Sequence, residues 1–372
     1  MPMQYLNQVP GKQLFTRSFQ KYSTTPEEED IEVQELIKKW IPADAEIIHI
    51  EINAKNIRIR YALTTNLTED RIRYLLNTMK PVELNRKNIR IDNSNNKTKR
   101  VKCRDNVMAI LNIADFHLNR KIWGRAGFNE DYTLAVASEV FKDIIDESIA
   151  RLKSSPYNIE KIVLNTGGDF FNSDTIDGTT TKGTIQFNDG TWQEAYLVAQ
   201  ELLAYAILKL SNIAPVYHYY VSGNHDTMAG FYLVSWLKAY FRGYENIFID
   251  DNPKIRQTIE YKNNIIVLAH GDDEKRRAID LPFTEVDAKS ALSRATNLEV
   301  LTGHMHSVSV QDKNGVRWEV LGCACPVGDA WTYAKGYGST RSEATIMYYN
   351  EVNRVQQDTI DTKDILRKIK EG

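Results

Sequence analysis

Aspartate, histidine and asparagine gather in five short clusters along this chain. They are Asp115-Phe116-His117, Gly168-Asp169-Phe170-Phe171-Asn172, Gly223-Asn224-His225-Asp226, His270-Gly271 and Gly303-His304-Met305-His306. Five of the chain's seven histidines fall inside these clusters, a concentration that packing does not explain. Carboxylate, imidazole and amide oxygen together suit divalent ions such as manganese, iron, zinc or magnesium, and no thiolate takes part. The clusters hold enough donors for two such ions.

Each cluster follows directly on a short apolar run, at 107–114, 162–165, 219–221, 265–269 and 298–301. Runs of this length bounded by turn residues read as strands buried on both faces. Amphipathic stretches between several of them give α/β units, in which sites form in the loops beyond the strand ends. Five donor sets far apart in sequence can therefore converge. One helix carries Leu134, Ala137, Phe141, Ile144 and Ile145, with Asn129 as its expected cap. Another opens at Thr191 with Glu194 in capping-box register. His218, on the strand leading to Asn224, is expected to be structural. The Thr-, Gly- and Asp-rich stretch 172–190 must border the site and is a candidate for substrate selection. Its Asp174 and Asp177 read equally as turn residues. After His306 a hairpin sets Val308 and Val310 against Trp318, Val320 and Leu321. Trp331, Tyr333, Lys335, Tyr337 and Arg341 then lie among glycines, as a packed lid or as a base-stacking loop.

The five clusters together resemble the signature of the calcineurin-like metallophosphoesterase superfamily: D-x-H, G-D-x-x-[DN], G-N-H-[DE], a later H, and G-H-x-H. The resemblance covers roughly 107–330 and is nearest in form to the DNA-repair exonuclease and phosphodiesterase branch. It implies a four-layer α/β sandwich. It also implies that Asp115, His117 and His306 hold one metal, that Asn224, His270 and His304 hold the other, and that Asp169 bridges them. Asn172 and Asp226 would support the ligands from behind. His225 would stand beside the scissile phosphate as the proton donor, since imidazole changes charge near neutral pH. A bridging carboxylate offsets the repulsion of two dications, and the neutral oxygen of Asn224 keeps the site electropositive toward a phosphate ester. Repair exonucleases of this type carry a long C-terminal region that docks an ATPase. Little chain follows His306 here, so an ATPase partner is not expected.

A chain of 372 residues has ample core for one large or two smaller domains. Its formal net charge of −2 gives no global attraction to nucleic acid, so such affinity would need a local patch. No apolar run approaches membrane-spanning length, and no membrane association is expected. Cys103, Cys323 and Cys325 show neither disulfide nor zinc spacing, and Cys323 and Cys325 are expected to share one buried face. A reducing cytoplasm is the natural compartment.

The expected organisation has an irregular, poorly ordered stretch at 1–28, then a small α+β accessory domain at 29–92. A basic linker follows at 93–104, a catalytic domain at 105–352 and a tail at 353–372 that ends in a short surface helix. The accessory domain would hold a helix over 31–40 ended by Pro42, then a hairpin of alternating Ile48, Ile50, Ile52 and Ile57, Ile59, Tyr61. A helix at 68–79 and a strand with Ile89 and Ile91 complete it. His49 falls on the polar face of the hairpin and is not expected to be a ligand. Arg86, Lys87, Arg90, Lys97, Lys99, Arg100 and Lys102 form a basic run offset only by Asp92. It reads as a solvated linker or as an arm tracking a polyanion backbone. The expected function is dinuclear-metal hydrolysis of phosphodiesters, with manganese as the first choice of metal and DNA or RNA as substrate. The alternatives are small nucleotides or phosphoproteins as substrates, and a non-catalytic binding scaffold on the same fold.

Overall fold

The computed structural model describes residues 12–20, 25–41, 46–52, 56–64, 105–123, 131–284, 292–326, 328 and 342–371. The chain divides into two compact units, Met1–Asn93 and Ser94–Gly372.

In the first unit the helix α1 (Pro26–Trp40) opens on a capping box. The Thr25 hydroxyl accepts from the Glu28 N–H, and the Glu28 carboxylate accepts from the Thr25 N–H. Ile41 closes the helix by donating to the Ile37 carbonyl, one residue ahead of Pro42, which cannot continue it. Its stripe of Val33, Leu36 and Ile37 packs on Ile50, Ile57 and Ile59. These come from a three-stranded antiparallel sheet of β1 (Lys12–Gln20), β2 (Glu46–Ile52) and β3 (Asn56–Thr64), in the order β1-β3-β2. The strand β1 corrects the expectation that 1–28 is irregular: Lys12 pairs with Thr64 and Gln20 with Asn56. Its polar residues hide the alternation, and the ladder with β3 supplies what the pattern lacks. The expected helix at 68–79, the strand with Ile89 and Ile91, and the basic run lie outside the described residues. That run comprises Arg86, Lys87, Arg90, Lys97, Lys99, Arg100 and Lys102.

The second unit is built on two sheets. The first contains β4 (Asn106–Asn112), β5 (Asn158–Asn165), β6 (Val216–Tyr219) and β7 (Ile247–Asp250), all parallel. The second contains β8 (Gln257–Tyr261), β9 (Asn264–Leu268), β10 (Asn297–Thr302), β11 (Ser309–Lys313) and β12 (Val316–Val320), in the order β11-β12-β10-β9-β8. The strands β13 (Glu343–Tyr349) and β14 (Arg354–Asp361) return to the first sheet antiparallel, giving the order β14-β13-β4-β5-β6-β7.

Side chains that alternate along each strand sort into three packed layers. Val107, Ala109, Leu111, Ile162 and Leu164 pack under the helices α2 (Leu134–Ser154), α3 (Trp192–Ser211), α4 (Thr227–Tyr240) and α5 (Thr362–Glu371). Met108, Ile110, Val163 and Met347 meet Ile259, Ile266, Leu268 and Leu301 between the sheets. The far face of the second sheet, with Val267, Val300 and Val316, is covered by Ala278, Ile279 and Leu281 of two short helical turns. Helices, sheet, sheet and helical turns make a four-layer α/β sandwich.

Three boundaries differ from expectation. The cap of α2 is Thr133, whose hydroxyl accepts from Val136 N–H, and not Asn129, which lies outside the described residues. The 353–372 segment is no tail. It supplies β14 and α5, and Ile360, Ile365 and Leu366 are buried in the main core. Cys323 and Cys325 are free and buried, but they lie beyond β12 and not on a strand face. The aromatic segment from Trp331 to Arg341 lies outside the described residues, as does Cys103. No helix among the described residues is long and apolar enough to cross a membrane.

Candidate metal centre

All five clusters sit just past the carboxyl ends of β4, β5, β6, β9 and β10, where parallel strands deliver their loops to one edge of the sandwich. The backbone there is unusual. Asp115, His117, Asp169, His304 and His306 all have positive φ, between 49° and 66°. Side chains other than glycine rarely adopt that left-handed region, and its recurrence at five donor positions marks strain held by the surrounding structure. Glycines then let the loops touch. A Cβ on Gly223 would overlap the Asp169 backbone and carboxylate, and one on Gly303 would overlap the Asp115 carboxylate.

The donors converge. Nε2 of His117 and Nε2 of His306 are 3.0 Å apart, and the latter is 3.6 Å from Asp115 Oδ1. Beside them, His270 Nε2 lies 3.1 Å from Asp169 Oδ2 and 3.0 Å from Asn224 Oδ1. His304 joins Asp169 and His270, with donor atoms within 4.8 Å of one another, and Asp169 also groups with His117 and His225. The Asp169 carboxylate therefore faces both sets. His225 lies at the border of this group. Its N–H donates to Asp169 Oδ1 at 2.7 Å, its Nδ1 lies 2.9 Å from the Asn172 carbonyl, and its Nε2 stands 4.0 Å from Asp169 Oδ2.

A layer of hydrogen bonds fixes these groups from behind. The Asp226 carboxylate accepts from the N–H groups of Asp169, Phe170 and Phe171 at 3.0, 2.6 and 3.3 Å. Asn172 donates its side-chain amide to Phe187 O and Asn188 Oδ1, which holds its carbonyl toward His225. The His304 N–H donates to both oxygens of Asp115. Three supporting residues have no sequence signal. Glu274 accepts from Gly271 N–H and pairs with Arg256 at 2.9 Å, bracing the His270 turn. The Cys323 thiol donates to the Asp115 carbonyl. Asp174 caps α4 from a distant loop, accepting from Met228 and Ala229 N–H. His218, by contrast, lies under the helices with Nδ1 on the Leu164 carbonyl, away from the centre.

The electrostatics describe a site that wants cations. Burial, with His225 and His306 nearby, holds His117 well below the usual imidazole range, so it is the neutral form that can ligate. Burial also opposes charge on His270, yet the Asp169 carboxylate outweighs it and lifts that imidazole to about 10. Burial and the neighbouring Asp169 push Asp226 up to about 7. Two facing imidazole nitrogens beside a carboxylate, and a second carboxylate shared with two further imidazoles and an amide oxygen, fit two divalent ions.

A family model described as calcineurin-like phosphoesterase matches residues 108–344, a span that includes all five clusters. The chain belongs to the calcineurin-like phosphoesterase family. Solved structures similar to this chain include a predicted phosphoesterase from Streptococcus pneumoniae, at 12% identity over 68% of this chain and 98% of that one, with a TM-score of 0.27. Vps29 from Cryptosporidium parvum is 15% identical over 68% of this chain and 98% of that one, with a TM-score of 0.30. GAP50 of Plasmodium is 13% identical over 69% of this chain and 85% of that one, with a TM-score of 0.33. Among curated proteins none matches. Family membership supports phosphoester hydrolysis with divalent metals.

Proposed function

We propose that this phosphoesterase hydrolyses phosphodiester bonds in DNA or RNA. His225 carries the hydrolytic reading. Its Nε2 borders the donor group, 4.0 Å from Asp169 Oδ2 where His270 stands at 3.1 Å, and its Nδ1 is occupied by the Asn172 carbonyl. With Nδ1 protonated, Nε2 is left facing the site, where it can exchange a proton with a leaving oxygen. Asp115, His117 and His306 would hold one metal, Asn224, His270 and His304 the other, and Asp169 would lie between them. Divalent ions there, manganese being the first choice, would polarise the phosphoryl oxygens and supply hydroxide near neutral pH. Asn172 and Asp226 keep the acid and the shared carboxylate in place. The substrate reading is supported by the basic residues Arg86, Lys87, Arg90, Lys97, Lys99, Arg100 and Lys102, which run in sequence into the strand that delivers Asp115.

The test uses full-length protein with manganese, assayed on single- and double-stranded DNA, RNA and a nitrophenyl phosphodiester. Chelator should abolish every activity. His225→Ala should retain both metals and lose about 10²–10⁴ in rate on nucleic acid, with a smaller loss on the nitrophenyl ester, whose leaving group needs no proton. Exchanging Lys97, Lys99, Arg100 and Lys102 for glutamine should weaken nucleic-acid binding and flatten its salt dependence, by about 0.7–0.9 in slope for each phosphate no longer neutralised. Unchanged nucleic-acid binding in that variant, with small-ester activity intact, would transfer the assignment to a small-molecule phosphodiesterase.

A further inference from the structure

The loop between Asn172 and Gly190 wraps the segment that begins α4, and it does so through bonds from three of its residues, Asn172, Asp174 and Thr181. The Asn172 carbonyl meets His225 Nδ1 at 2.9 Å. The Thr181 N–H donates to the Asn224 carbonyl at 3.0 Å. Between them Asp174, 8% exposed, accepts from the N–H groups of Met228 and Ala229 at 2.8–3.1 Å, and from the Thr181 hydroxyl at 2.9 Å. The Thr181 hydroxyl also lies 3.2 Å from Thr227 Oγ1. Asp226, the residue at the cap position of α4, makes no side-chain bond to its own helix, because its carboxylate is turned to the backbone of Asp169 to Phe171. The helix end is therefore left to a carboxylate from another loop, at the end where negative charge is most stabilising.

We infer that Asp174 is a positioning residue: it locks the 172–190 loop onto the Asn224–Ala229 segment and so fixes the approach of His225 to the reacting phosphate. The physical argument is one of connectivity. His225 hangs between two anchors, the Asn172 carbonyl on its ring and the Asp169 carboxylate on its N–H. Asn172 is two residues from Asp174, and Met228 is three residues beyond His225. Removing the Asp174 carboxylate frees two helix N–H groups and leaves Thr181 holding the segment only through Asn224 and Thr227, so the junction of loop and helix end loosens and the ring loses its fixed bearing. The metal donors Asp115, His117, His270, His304 and His306 come from other strands and are untouched, while Asn224, at the start of the locked segment, is kept by the Thr181 N–H on its carbonyl. Asp169 keeps its own support from Asp226. A shift of about 1 Å in a reacting group can cost on the order of 100-fold in rate.

This inference rests on the reading of His225 as the acid, and its test separates the two. Full-length, metal-loaded wild type, Asp174→Ala, Asp174→Asn, Thr181→Val and His225→Ala would be compared on a dinucleotide and on a nitrophenyl diester. Metal content and amide hydrogen exchange would be measured on the same samples. Asp174→Ala should raise exchange in both 173–190 and 223–232, retain both metals, and lose roughly 10-fold or more in kcat on the dinucleotide. The loss on the nitrophenyl ester should be several-fold smaller, with little change in KM. Asp174→Asn and Thr181→Val, which keep the shape but weaken or remove single bonds, should fall between wild type and Asp174→Ala. Three outcomes overturn the inference: equal kcat losses on both substrates, loss of metal, or raised exchange with wild-type rates. If His225→Ala itself shows no dependence on leaving group, the acid reading fails. The exchange of the two segments then decides whether Asp174 joins them, and unchanged exchange overturns the lock as well.

Discussion

At Gly223 a hydrogen atom is all that separates the loops that carry Asn224 and Asp169, since any Cβ there would overlap both the backbone and the carboxylate of Asp169. Gly223→Ala should therefore push Asp169 out of its shared position without removing any donor. The expected result is metal affinity weakened about 10- to 100-fold, the range seen when groups behind a ligand are disturbed. Elemental analysis after dialysis, alongside a thermal melt, reads this directly; full retention of both ions would refute it. The convergence of the five clusters was legible in the sequence because each is contiguous and follows directly on an apolar run. The residues that hold them were legible only where they lie inside a cluster, as Asp226 and Asn172 do. Asp174, Glu274 and Cys323 were not. Asp174 and Cys323 act on partners about 54 and 208 positions away, while Glu274 acts on a turn three residues off in a segment with no pattern. The left-handed backbone at five donor positions left no trace either, since aspartate and histidine adopt it only where tertiary contacts enforce it.

Among the elements, the strands were read from apolar runs buried on both faces, and α3 from its capping box. The terminal helix was expected too, but as a surface element; what was missed is its burial, because charge dilutes its pattern. The helix α5 places Ile365 and Leu366 in the core while Lys363, Asp364, Arg367 and Lys368 dominate its composition, so the sequence reads as a surface appendage. Its partner β14 alternates exposed and half-buried residues along most of its length and takes its place from pairing with β13. A chain stopped after Asn350 should not fold stably. Burying Ile360, Ile365 and Leu366 alone is worth roughly 1.5–3 kcal/mol each, or about 5–9 kcal/mol together as an upper figure, against a typical domain stability of about 5–15 kcal/mol. Far-ultraviolet circular dichroism on heating is the measurement. A cooperative melt at the full-length temperature would mean that β14 and α5 are dispensable.

For the molecule as a whole, the helix-covered face of the first sheet carries one titratable group that bears on acid stability. Burial lowers His218 to about 4, against an ordinary value of 6.5, even though its bond to the Leu164 carbonyl works the other way. The unfolded chain takes up this proton below about pH 6.5, and the folded chain resists until about pH 4. Stability from this group is thus complete above pH 6.5 and drains away as pH falls toward 4. The full difference, 6.5 − 4 = 2.5 units at 1.36 kcal/mol each, is about 3 kcal/mol. In metal-free protein His117 and Asp226 titrate as well, so the check is a comparison: the fall in urea midpoint between pH 7 and pH 4.5 is measured in wild type and in a variant lacking the His218 imidazole. His218→Asn should make that drop shallower; an identical drop in the variant would place the acid sensitivity elsewhere. The order of the first sheet has a temporal consequence. The strand β4, which delivers the first metal cluster, has β5 on one flank and β13 on the other. On a ribosome β4 emerges early and gains β5 soon after, but its second neighbour is made only once every metal cluster has already been synthesised. Until then its edge is an open row of backbone donors and acceptors on a strand that is apolar from Val107 to Leu111, an arrangement prone to pairing with another nascent chain. The same topology that encloses the metal centre thus makes its first strand the one that waits longest for protection.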